Sequence, residues 1–169
     1  KSHTLRAILF ASLAKGTSRI EHFLPSPDTK AMIEAVRLLG AEVRVEENVL
    51  LIEGFAGNPK AVDDVIQCGN SGQVLRFIGA LAGLIPQYTI FTGDASIRYN
   101  RPVRPLLEAL EQLGVFAIST RGNGYAPMLI KGPFVKDRAI MDGRDSQPVS
   151  GLLIASAFAS HPIEIQVRN

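Results

Sequence analysis

An internal repeat constrains this chain more than any other feature. Three stretches share one texture: SHTLRAILFASLAKG from Ser2, SGQVLRFIGALAGL from Ser71 and SQPVSGLLIASAFAS from Ser146. Each opens with serine and polar residues, then runs apolar and small for about three helical turns. Their starts lie 69 and 75 residues apart. The segments C-terminal to them are repeated as well. TSRIEHF, SPDTKAMIEAVRLLG, EVRVEEN and VLLIEGF come after the first stretch; YTIFTGD, RPVRPLLEALEQLG, FAISTRG and APMLIKG come after the second. IEIQVRN comes after the third, and strand-like VIQC and RAIMD lead into the second and third. Period-2 and period-3.6 patterning therefore predicts a β-α-β-α-β-β unit. The units run approximately over 1–55, 64–133 and 137–169, the last incomplete. The fold class expected is α/β (α+β), with buried apolar helices and surrounding sheets in one domain over 1–169.

The two helices of a unit differ. The first kind is apolar on every face, which predicts burial all round. The second is amphipathic, with Lys30, Glu34 and Arg37, or Glu108, Glu111 and Gln112, on its polar side. Both of these end in Leu-Gly, at Gly40 and Gly114, the pattern of a cap that needs positive φ. Pro27 and Pro102 are expected at helix starts, where a missing N–H costs nothing. GNG at 122–124 reads as a hairpin turn.

Three like units bring three like helix N-termini to one surface. Each end carries unpaired N–H groups and about half a positive charge, so together they would form an anion site. Taken singly, Ser2, Ser71 and Ser146 read as ordinary N-caps. The basic residues favour the anion site: Lys1 and Arg6 at the first start, Arg76 in the second, Arg144 before the third, and Arg101 opening an amphipathic helix. Arginine grips phosphate or carboxylate with two prongs and lysine supplies a point charge. Of Arg98, Arg101 and Arg104, two are expected to be solvated. Arg76 has apolar neighbours throughout, and a buried guanidinium requires a carboxylate or a ligand.

Other chemistries lack support. There is no Gly-x-x-x-x-Gly-Lys loop for nucleotide phosphates and no third glycine beside Gly122 and Gly124 for a dinucleotide. His3, His22 and His161 with the single Cys68 give no metal-ligand spacing, so no metal or cofactor is expected. Cys68 reads as a small buried strand residue. A net charge of +2 is too small to argue for nucleic acid, and no apolar run is long enough for a membrane span. One cysteine points to a reducing compartment, hence the cytoplasm. A start at Lys1 rather than Met, and an end just after a strand-like segment, make this chain an expected piece of a longer protein.

Four segments then resemble one family. KSHTLRAILFASLAKGTSRI resembles the Lys-Ser-x-x-x-Arg opening of the 3-phosphoshikimate 1-carboxyvinyltransferase (EPSP synthase) family. GNSGQVLR resembles its Asn-Ala-Gly-Thr-x-x-Arg motif, TGDASIRYNRPVRPLLEALEQLG its Arg-Pro segment, and DSQPVSGLLIASA its Ser-Ser-Gln helix. The resemblance implies two domains, each of three βαβαββ units, and transfer of the enolpyruvyl group of phosphoenolpyruvate to the 5-hydroxyl of shikimate 3-phosphate. The chain would form most of one domain and partner a second domain of the same protein. It further implies that Lys1 contacts both substrates and is catalytic, and that Ser2, Arg6 and Ser146 hold shikimate 3-phosphate. Gly72 and Arg101 would line the phosphoenolpyruvate site, Gln147 would lie between the substrates, and Asn70 and Arg76 would support them.

Three positions depart from the family pattern: Gln73 stands for the usual Thr, Phe77 for Pro, and Asp145 for the first Ser of Ser-Ser-Gln. Gln73 and Phe77 are expected on the helix that shapes the phosphoenolpyruvate pocket. Asp145 is unfavourable beside a phosphate unless Arg144 or another cation neutralises it. Two alternatives stay open. The UDP-N-acetylglucosamine enolpyruvyl transferases share the fold, but they open with Lys-Asn and use a loop cysteine. A non-catalytic anion- or RNA-binding βαβαββ module would need more charge and more aromatics near its basic residues.

Overall fold

Hairpin and crossover chemistry repeats along the chain. The computed structural model describes residues 1–169. Its first part contains α1 (Ser2–Leu13), β1 (Thr17–Glu21), α2 (Pro27–Leu38), β2 (Glu42–Glu46) and β3 (Val49–Glu53). Next come β4 (Ile66–Gln67), α3 (Gly72–Ala82), β5 (Thr89–Thr92), α4 (Ala95–Asn100), α5 (Arg104–Gln112), β6 (Phe116–Ser119) and β7 (Met128–Lys131). The chain ends with β8 (Arg138–Asp142), α6 (Ser146–Ser156) and β9 (Glu164–Arg168). The first sheet has the order β1-β3-β2, all antiparallel. In the second, β5-β7-β6 repeats that order, and β4 joins β5 in parallel. The third pairs β8 and β9 in parallel. So α3 and α6 are crossover helices of equivalent βαβ steps.

Local sequence sets the helix ends. Ser26 accepts a hydrogen bond from the Thr29 N–H at 3.1 Å and Pro27 occupies the first turn. Gly40 and Gly114 end α2 and α5 with φ of 114° and 81°. Four details differ from the sequence-based expectation. Of the three serines, only Ser71 caps its helix; Lys1 and Asp145 occupy the other two cap positions, leaving Ser2 and Ser146 inside the first turn. Asp145 does the capping of α6, accepting from the Gln147 N–H at 3.0 Å. Arg101 does not open an amphipathic helix: it ends the extra short helix α4, and α5 starts at Arg104 with Pro105, not Pro102, in its first turn. The 122–124 glycines belong to a longer loop over 120–127, because Thr120 and Pro127 still bond across the hairpin.

The core contains 42 buried apolar residues, and α3 runs through its middle. Val74, Leu75, Phe77, Ile78, Ala80, Leu81 and Ala82 are all fully buried. Each large side chain among them contributes roughly 1.5–3 kcal/mol. The amphipathic helices cover grooves: α2 packs on both α1 and α3, and α5 on both α3 and α6. No third amphipathic helix does the same for α1 and α6. All-round burial therefore holds for α3 but not for the other two. Phe10 (51% exposed) and Leu153 (55%) face outward. An apolar groove of about 720 Å³, lined by Phe10, Leu13, Ile154 and Phe158 among others, runs between α1 and α6. No helix is long and apolar enough to cross a membrane.

Candidate functional site

The starts of α1, α3 and α6 converge on a cleft of about 220 Å³ that has no apolar lining residue. Lys1 and Ser2 come from the first helix, Asn70, Gly72, Gln73 and Arg76 from the second, and Gln147 from the third. Asp28 of α2 and Arg101, between α4 and α5, complete it. Oriented N–H groups and cations thus gather where three repeated units meet, an arrangement suited to anions. Seven of the sequence-predicted residues line this cleft: Lys1, Ser2, Asn70, Gly72, Arg76, Arg101 and Gln147. Arg6 is set just behind, with its guanidinium on the Ser2 hydroxyl. Ser146 sits exposed at the first turn of α6, outside the cleft lining.

Arg76 organises the wall. It is 5% exposed, yet it reaches two other chain segments. Its Nη1 donates to Gln147 Oε1 at 2.7 Å and its Nη2 to the Pro102 carbonyl at 2.9 Å. Asp145 lies 3.3 Å from Nη2 and supplies the carboxylate that burial demands. Desolvation pulls the Arg76 pKa below its ordinary value; Asp145 opposes that shift and Arg101 adds to it. Arg144 is not the partner of Asp145. It bonds Asp142 instead, holding that carboxyl down to about 2, and does not line the cleft. Because Arg76 engages the Gln147 carbonyl oxygen, the Gln147 amide NH₂ is left as a donor for the cleft.

A side chain at Gly72 would press on the Arg76 guanidinium, which its own hydrogen bonds hold in place. A Cβ there would sit 2.8 Å from Arg76 Nη1 and 3.4 Å from Gln147 Oε1. Lys1 Nζ lies 3.4 Å from Asp28 Oδ2. Sequence reasoning missed Asp28. It sits one residue after Pro27 in the first turn of α2, where an acidic residue reads simply as a favourable dipole partner. Gln73 and Phe77 both turn toward α1: Gln73 Nε2 donates to Ser2 Oγ at 2.8 Å, and the Arg6 guanidinium stacks 5.1 Å from the Phe77 ring centre.

Other polar residues stand apart. Arg98 bonds the Gly93 carbonyl and Arg104 packs beneath Gly124. His161 bonds the Lys136 carbonyl on the surface. No three His, Cys, Asp or Glu side chains gather as a metal site. Cys68 comes directly after β4, is fully buried, and burial raises its thiol pKa to about 12. The folded protein is therefore expected to resist alkylation by iodoacetamide at pH 8 and to react fully once unfolded. Mass spectrometry of Cys68 with and without denaturant checks this; rapid labelling of the native state would refute it.

Known proteins resemble the chain over its whole length. The family model for EPSP synthase (3-phosphoshikimate 1-carboxyvinyltransferase) matches residues 1–169. The chain is 45% identical over 167 residues to the 3-phosphoshikimate 1-carboxyvinyltransferase of Acetivibrio thermocellus, covering 99% of this chain and 39% of that protein. It is 44% identical to the same-named protein of Methanosarcina acetivorans, with the same two coverages. A solved structure of EPSP synthase from Acinetobacter baumannii superposes with a TM-score of 0.89 at 26% identity, over 100% of this chain and 39% of that one. The chain thus spans about two fifths of the length of the relatives it matches. Across all of that span, in sequence motifs and in fold alike, the chain belongs to the EPSP synthase family.

Proposed function

We propose that the protein carrying this chain transfers the enolpyruvyl group of phosphoenolpyruvate to the 5-hydroxyl of shikimate 3-phosphate and releases phosphate. The observation that carries this reading is the cleft of eight polar side chains and Gly72 where three helix starts meet. Lys1, Arg6, Arg76 and Arg101 outnumber Asp28 and Asp145 around it. Two anionic substrates need such a preorganised cationic setting.

In the transfer, the 5-hydroxyl oxygen bonds to C2 of phosphoenolpyruvate while a proton goes to the methylene carbon. Loss of phosphate and of a methyl proton then restores the double bond. This chain binds and orients the substrates. Ser2, Arg6 and Ser146 hold shikimate 3-phosphate, Gly72 and Arg101 face phosphoenolpyruvate, and Lys1 and Gln147 lie between the two. Arg76 fixes Gln147 with its NH₂ outward, and Asn70 supports the turn. The remaining acid–base groups belong to the second domain. An intracellular aromatic-precursor pathway suits such chemistry, and nucleic acid is not a partner.

Isothermal titration and a coupled phosphate-release assay test this. The full-length protein is expected to bind shikimate 3-phosphate saturably and to release phosphate when both substrates are present. The 169-residue chain alone should bind weakly and show no turnover. Absence of binding by the full-length protein would overturn the reading; turnover by the isolated chain would overturn the division of labour between domains.

A further inference from the structure

Two pairs of residues, each one helical turn apart, face each other across the contact between α1 and α3. Ser2 and Arg6 lie on α1; Gln73 and Phe77 lie on α3. The pairs interlock. Gln73 Nε2 donates to Ser2 Oγ at 2.8 Å, Arg6 Nη1 donates to the same oxygen, and Arg6 stacks on the fully buried Phe77 ring at 5.1 Å. A hydroxyl oxygen accepts two hydrogen bonds and donates one. With both acceptor positions taken, the Ser2 proton has one direction left, away from Gln73 and Arg6 and into the cleft that Ser2 lines.

We infer that Gln73 and Phe77 are positioning residues that fix Ser2 as a hydrogen-bond donor, and Arg6 as a fixed cation, for an oxyanion of the phosphorylated substrate. The inference rests on the proposed function for the identity of that substrate, and on the geometry for the rest. Gln73 is 9% exposed, and its Oε1 is buried without a partner. Its carboxamide is oriented by the bond that it gives to Ser2. Phe77 has a matching role, because a cation over an aromatic face is held without being neutralised. Arg6 therefore keeps its charge for the ligand, whereas a carboxylate partner would have cancelled it.

The test uses the full-length protein and three substitutions: two at Gln73 that nearly keep volume, and Phe77→Leu. Gln73→Met removes the donor and the unpaired oxygen together. It is expected to raise the Kd for shikimate 3-phosphate about 10-fold, because the freed Ser2 hydroxyl no longer holds its proton toward the oxyanion. The KM for phosphoenolpyruvate should move less than about twofold, and the melting temperature should hold or rise. Gln73→Glu places an acceptor opposite the Ser2 hydroxyl, turns its proton inward, and should weaken binding further. Phe77→Leu should raise the same Kd by roughly threefold through loss of the stacking. Equal or tighter binding by Gln73→Met than by wild type would overturn the inference while leaving the proposed function standing. A common rise in both substrate constants with a lowered melting temperature would also overturn it, as a purely structural effect. Failure of the wild-type protein to bind shikimate 3-phosphate would overturn the functional reading and this inference with it.

Discussion

Replacing Arg76 with alanine is expected to destabilise the protein by roughly 2–4 kcal/mol and to weaken binding of both proposed substrates more than tenfold. The size reflects the contacts that the side chain makes. It is 6% exposed and ties α3 to Gln147 of α6 and to the Pro102 carbonyl before α5. Alanine leaves a void in the wall and strips two acceptors of their donor. The ion pair is the smaller part, because the Asp145 side chain is 44% exposed and water screens it. Arg76→Met separates these contributions. It refills most of the void and needs no desolvated charge, so it should recover much of the stability. It cannot hold the Gln147 carbonyl, so the affinity loss should persist. Urea unfolding and calorimetric titration of the full-length variants check both halves. If Met restored affinity along with stability, Arg76 would be packing alone and the role given to Gln147 would fall.

The repeated topology and the convergence of helix starts were legible because both rest on local chemistry. Apolar period, Leu-Gly caps and strand alternation specify the elements one by one, and like units place like helix starts together. Seven residues of the cleft emerged from that logic and from the family motifs. What escaped depends on pairings between segments far apart in the chain. Nothing within DSQ states that Asp145 both caps α6 and neutralises Arg76, or that Arg144, its neighbour, is committed to Asp142. Asp28 looked like an ordinary first-turn acid, and its contact with Lys1 spans the α1–α2 contact. The helix α4 was hidden because ASIRYN is short and polar, so no apolar stripe announces it. Exposure of Phe10 and Leu153 was illegible for the converse reason: an all-apolar helix carries no mark for which face lacks a neighbour.

Two buried glycines, one in α3 and one in α6, make the second large prediction, and their contrast is the informative part. A Cβ added at Gly79 of α3 would come 2.8 Å from the Met128 terminal methyl; one added at Gly151 of α6 would come 2.8 Å from the Arg76 carbonyl oxygen. The distances are equal but the neighbours are not. A methionine tip swings aside at small cost, and alanine gains up to about 1 kcal/mol in helix propensity over glycine. Gly79→Ala should therefore leave stability within about 1 kcal/mol of wild type. At Gly151 the obstacle is backbone, with the Arg76 carbonyl carbon 3.3 Å away and the Ala80 methyl at 3.4 Å. Nothing there can rotate away, so α6 must move off α3. Overpacking of this kind costs roughly 1–3 kcal/mol, more than the propensity gain returns. The movement begins one turn from Gln147, whose 2.7 Å bond to Arg76 spans the same pair of helices. Gly151→Ala is thus expected to lower the melting temperature by several degrees and to weaken substrate binding several-fold, although residue 151 lines no part of the cleft. Gly151→Val should deepen both losses. Thermal unfolding and titration of Gly79→Ala beside Gly151→Ala decide the matter: equal behaviour of the two would mean that α3 and α6 slide freely, and that the cleft is not held by their close approach.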